Sequence, residues 1–156
     1  MQSEQYTYAE IETFASKFYQ GRPLLLTPYA YTLTFASLAS GASATQVINI
    51  AANADFIVTG LHHHATVANA AQTVSNKTAP LARILVTDSG SNEQFTNAAV
   101  DLESYSTNGN IINKLDYPRI VSGRSTLTVQ LISYEASNTN NIDVIFAGVL
   151  VRAYTS

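Results

Sequence analysis

The chain contains no cysteine. That excludes disulfides and thiolate chemistry, whether as nucleophile or as metal ligand. It contains no tryptophan either, so it lacks the indole platforms that carbohydrate-cleaving enzymes commonly carry. Charge is scarce: Asp, Glu, Lys and Arg make up 12% of the residues, against about 25% in an ordinary domain. With 8 Lys+Arg against 11 Asp+Glu the net charge is -3. Phosphate neutralisation needs clustered Lys and Arg, so no nucleic-acid partner is expected. No apolar run approaches the roughly 20 residues that span a bilayer, so no membrane partner is expected. Met1–Gln5 has neither a basic nor an apolar region of the signal-peptide kind, which predicts a soluble chain made in the cytoplasm. There are only seven glycines. No P-loop, no G-x-G-x-x-G and no G-x-S-x-G elbow is present.

What is there is uncharged polarity around a substantial apolar fraction. The chain has 15 Ser, 17 Thr and 12 Asn, more than twice its 19 charged residues. Hydrophobic residues reach 46% of 156, too many for a disordered chain. That length suits a single core, with no metal or disulfide needed to hold it.

Residues 8–20 carry the one helical pattern. Tyr8, Ile11, Phe14, Ala15 and Phe18 share a face. Thr7 and Glu10 have the spacing of a capping box. Gly21 is placed to end the helix at C′, with Pro23 behind it. This helix has two readings: it packs on its own domain, or it is an arm that docks on a neighbouring chain.

After Pro28 the period becomes two. Strands are expected at 31–36, 46–51, 55–65, 81–87, within 94–102, at 119–121, at 127–131 and at 142–154. Residues 66–80 read as a long surface excursion, and 135–141 as a loop. Asn108-Gly109 marks a hairpin turn between 100–105 and 111–115. The last strand is apolar on both faces, Ile142, Val144 and Phe146 against Ile145, Val149 and Val151. It is therefore central and doubly covered, or its outer face meets another subunit. Many short strands with one helix predict a mainly β protein, an antiparallel β-sandwich. The expected topology is a jelly roll. The division is an N-terminal amphipathic helix or arm over 1–25 and a sandwich over 26–156.

Few residues suggest chemistry. Asp55, Asp88, Asp101, Asp116 and Asp143 stand singly along the chain, and no enzyme activity and no cofactor is expected. His62 and His64 share a strand face and are the candidate metal ligands. They have no third ligand nearby in sequence, so the expectation is no metal and a polar strand end. Asp88-Ser89-Gly90-Ser91 reads as a turn in which Asp88 caps its own backbone, not as a calcium loop. Arg119 is expected to pair with a carboxylate across the sandwich. Phe14, Phe18 and Tyr19 are the candidate contacts to a partner protein or a second subunit.

Six segments carry a resemblance by their order and spacing. They are Ala54-Asp55-Phe56, Pro80-Leu81, Ile84-Leu85-Val86-Thr87-Asp88-Ser89-Gly90-Ser91, Tyr117-Pro118-Arg119, Ser125-Thr126-Leu127-Thr128-Val129 and Phe146-Ala147-Gly148-Val149. Over residues 45–150 the chain resembles the auxiliary, cement or decoration proteins of tailed bacteriophages, small virion proteins encoded beside the major capsid protein. The resemblance implies an oligomeric β-sandwich that binds the outside of an icosahedral head and stabilises it. Its partner would be the major capsid protein and its location the virion, after assembly in the host cytoplasm. Phe146-x-Gly148-x-Leu150 is also similar to the last strand of trimeric jelly rolls of the complement-globular-head and tumour-necrosis-factor type, which implies a homotrimer. The alternative function is a receptor- or glycan-binding module, a head-fibre tip or an adhesin. Contacts made by so sparsely charged a surface are expected to be apolar and hydrogen-bonded, hence weakly salt-dependent.

Overall fold

The computed structural model describes residues 7–21, 24–67, 81–90, 92–102, 114–134 and 139–153. Helix α1 spans Tyr8–Phe18. The strands are β1 (Leu24–Leu38), β2 (Ser43–Asn49), β3 (Asp55–Val67), β4 (Ala82–Asp88), β5 (Glu93–Gln94), β6 (Val100–Asp101), β7 (Lys114–Val121), β8 (Thr126–Ser133) and β9 (Asn140–Ala153). They form two antiparallel sheets, one ordered β1-β9-β3-β7, the other β2-β8-β4-β5 with β6 also on β4. The described residues form a β-sandwich to which helix α1 is added. Successive long strands alternate between the sheets, so the first and last strands of the chain lie side by side.

The alternation read in the sequence becomes the inner and outer faces. Strand β8 buries Leu127, Val129, Leu131 and Ser133 and leaves the residues between them half-buried. Strand β4 buries Ala82, Ile84, Val86 and Asp88, with Leu85 and Thr87 half-buried and Arg83 exposed between them. Against them the first sheet presents Leu33, Phe35, Phe56, Val58, Ile142, Val144 and Phe146, in one continuous core.

Helix α1 lies on the other face of the first sheet. Ile11 and Ala15 are buried against Ile57, Val149 and Val151, with Phe14, Tyr19, Leu24, Leu26 and Ile120 around them. The outer apolar residues of β9 at Val149 and Val151 are thus covered by the chain's own helix. The helix and the sandwich share a core cluster, and the 25/26 division falls inside β1. The capping box forms as expected: Glu10 N–H donates to Thr7 Oγ1 and Thr7 N–H to Glu10 Oε1, both at 3.1 Å. The end differs by one residue. Tyr19 is the C-cap, Gln20 takes the left-handed C′ position at φ 58°, and Gly21 follows, its N–H donating to the Ser16 carbonyl at 2.8 Å. This is the six-to-one bond of a Schellman end.

Strand β1 is longer than the pattern predicted and runs through Pro28. Strand β7 likewise runs through Pro118. Proline lacks the donor a central ladder needs, so it is tolerated on edge strands; β1 and β7 are the two edges of the same sheet. In β3 the register slips between Val58 and Gly60. Val58 pairs with Gly148 and Gly60 with Ala147, leaving Thr59 as the extra residue of a bulge. The slip reverses the phase of the strand. Before it the even residues Phe56 and Val58 face the core; after it Leu61, His63 and Ala65 do.

The helix expected at 8–20 and the strands expected at 46–51, 55–65, 81–87 and 127–131 match elements of the fold to within a few residues. The Asn108-Gly109 turn, most of the 66–80 excursion and residues 135–138 lie outside the described residues. Among the described residues no helix is long and apolar enough to cross a membrane.

Candidate functional site

One corner of the sandwich brings together α1, the turn after β4 and the edge strand β7. Phe14 and Phe18 from the helix, Asp88 and Glu93 from either side of the turn, and Pro118, Arg119 and Ile120 from β7 line a cleft of about 510 Å³. The amphipathic spacing of α1 explains the aromatic wall. With Ile11 and Ala15 turned to the sheet, Phe14 sits half-buried at the margin and Phe18 projects outward, 58% exposed.

The turn is held by its own side chains. Asp88 Oδ1 accepts from Gly90 N–H at 2.8 Å, the self-capping turn expected from the sequence. Ser89 then ties the turn to the start of β8. Its N–H donates to the Thr126 carbonyl at 2.9 Å, and its Oγ accepts from Thr126 N–H and Thr126 Oγ1, each at 2.8 Å. Among the described residues Arg119 has an aromatic partner in place of the expected carboxylate. Its guanidinium carbon lies 4.5 Å from the centre of the Phe95 ring, and it makes no ion pair among the described residues. A guanidinium over a ring face is stabilised by the ring quadrupole. The contact joins the edge strand β7 of one sheet to the residue that follows β5, at the edge of the other.

Of the three candidate contact residues, Phe14 and Phe18 line the cleft. Tyr19 turns away from it. Its hydroxyl donates to Asp55 Oδ2 at 2.6 Å, while its ring meets Phe18 edge-on at 4.9 Å. Burial, then the Asp55 hydrogen bond and negative charge, push the Tyr19 phenol well above its usual range, so the hydroxyl remains a donor.

The histidines lie apart from this corner, beyond the bulge. His63 is buried, His62 is half-buried and His64 is exposed. His62 and His64 do share the outer face, and His64 stands opposite Asp143 of β9. Among the described residues no three His, Asp or Glu side chains gather as a metal site would require. Burial, and to a lesser degree the charge of His63, pull the His62 imidazole below its ordinary value.

Glu93 and Phe95 were missed as site residues in the sequence. The only signal was their position just after a self-capping turn, which nothing local connects to a helix some 75 residues earlier. The chain matches no family model, no curated protein and no solved structure.

Proposed function

We propose that this chain is a structural virion protein that binds the outside of a tailed-phage head and stabilises it. It would act as a homotrimer of jelly rolls seated on the major capsid protein. The observation that carries the reading is convergence. The segments bearing the resemblance at 84–91, 117–119 and 125–129 are distant in sequence, yet the Asp88 turn, Arg119 and Thr126 meet at one corner, beside the aromatic edge of α1. The alternation of strands between sheets supports the jelly-roll part, because that fold wraps two Greek keys around one core. A Ser/Thr/Asn-rich surface with few charges suits static contacts, since charged residues are depleted at interface cores.

A cement binds the assembled lattice better than free capsomers, so bound copies stabilise the shell by mass action. A trimer touching several capsomers adds avidity, because its later contacts are intramolecular. The test strips heads of the protein, adds purified protein back, and measures genome release on heating. The expected result is release at lower temperature from stripped heads and recovery on re-decoration. If stripped and decorated heads survive equally while stripped ones fail to adsorb to cells, the cement reading fails and the host-binding alternative replaces it.

A further inference from the structure

The cleft beside β7 carries an unbalanced set of groups. Its walls are the rings of Phe14 and Phe18 with Pro118 and Ile120, and its charged residues are Asp88, Glu93 and Arg119. The Arg119 guanidinium is already held against Phe95. Asp88 is buried and accepts from Gly90 N–H, so the exposed acceptor beside the aromatic surface is Glu93, and the formal charge of the three groups is net negative. Ring faces attract cations, and carboxylates accept short, charge-assisted bonds from them. Long cationic side chains also lay an aliphatic stem along apolar walls while the charged end stays wet. An anionic occupant would meet repulsion, and a neutral one would leave Glu93 unused.

We propose that the cleft takes a lysine or arginine side chain from an extended segment of another protein, its stem along Phe14, Phe18 and Ile120 and its charged end at Glu93. A second copy of this chain is the less complementary source: it carries 11 Asp+Glu against 8 Lys+Arg, net charge -3, and two of its cations, Arg119 and Arg83, lie over Phe95 and Tyr134. The identity of the donor as a capsid subunit rests on the function proposed above; the chemistry of the cleft does not.

The test titrates the full-length, isotope-labelled chain with acetyl-Leu-Lys-Leu-amide and acetyl-Leu-Arg-Leu-amide and follows backbone amide signals. The controls replace the central residue with norleucine or glutamate. The basic peptides are expected to shift signals at the end of α1, at β5 and at Arg119 and Ile120, and the controls are not. Glu93→Gln and Phe18→Ala, both at exposed positions, should each weaken the basic peptides by about threefold, as befits one partly exposed charge or ring contact. Added salt should weaken them further. Absence of shifts, equal shifts with norleucine, or preference for the glutamate peptide each overturns the proposal. So does self-association that Glu93→Gln abolishes, since the occupant would then be a second copy. No particle enters this experiment. Failure of head decoration therefore leaves a positive peptide result standing, and a negative peptide result removes the cleft chemistry whatever heads do.

Discussion

The Asp55 carboxylate joins three elements, because Tyr19 donates to its Oδ2 at 2.6 Å while Gly123 N–H donates to its Oδ1 at 2.7 Å. The end of α1, the start of β3 and the turn between β7 and β8 meet in one acidic group. Hydrogen bonds to charged groups contribute roughly 1.5–3 kcal/mol in mutational series, less where water competes. Tyr19→Phe should therefore lower stability by about 1 kcal/mol in urea unfolding. Asp55→Ala should cost more, since it also strips the Gly123 N–H of its acceptor. A Tyr19→Phe chain as stable as the parent would mean that the helix end is held by packing alone.

Truncation separates the two readings of the N-terminus. Removing residues 1–21 uncovers Ile57, Val149 and Val151, which Ile11 and Ala15 now bury. Fully burying one aliphatic side chain contributes about 1.5–3 kcal/mol. The truncated chain is expected to lose several kcal/mol and to aggregate on warming, by light scattering and thermal unfolding. Unchanged stability would return α1 to the role of a separable arm.

The helix was legible because every local signal agreed: Thr7 and Glu10 for the start, Ile11 and Ala15 for the buried face, Gly21 near the end. The alternation in 127–131 was equally plain, since β8 has one face on the core. The length of β1 was hidden by Pro28, which reads as a breaker until the strand is known to be an edge. The inward turn of His63 was hidden as well. It depends on the extra residue Thr59, and a bulge leaves no mark in a hydrophobic pattern except its reversed phase. The cleft was half visible. Phe14 and Phe18 stand on a recognisable face, but Glu93 and Arg119 reach them only through tertiary contacts between separate sheets.

Gly148 tests the bulge directly. A Cβ added there would collide with the Ile57 carbonyl oxygen and crowd the Phe56 ring. The Ile57 contact is with backbone, which leaves little freedom to yield, so β3 and β9 would have to separate. Overpacking of this kind costs about 1–3 kcal/mol or more. Gly148→Ala should lower the thermal midpoint by several degrees and weaken the seat of α1, since Ile57 and Val149 lie directly beneath it. An alanine variant with the parent's midpoint would show that the bulge can relax.

The histidine triplet makes a prediction about acid. Burial, then His63, lower the His62 pKa in the folded chain, while the unfolded value stays near 6.5. Above about pH 7 both states hold His62 neutral, and its contribution to stability is fully present. As pH falls through about 6.5, the unfolded chain takes up a proton that the folded chain resists, so stability declines toward the lower, folded pKa. Urea unfolding between pH 7.5 and 5 should show this slope, and His62→Gln should flatten it. His64 stands opposite Asp143 of β9, so the double change of His62 and His64 to Asn is the cleaner test of metal. At pH 7.5 it should leave the oligomeric state unchanged in light scattering, because no third His, Asp or Glu gathers beside them among the described residues. Dissociation by a chelator, reversed by zinc and absent from the double variant, would instead place a shared metal between copies at this face.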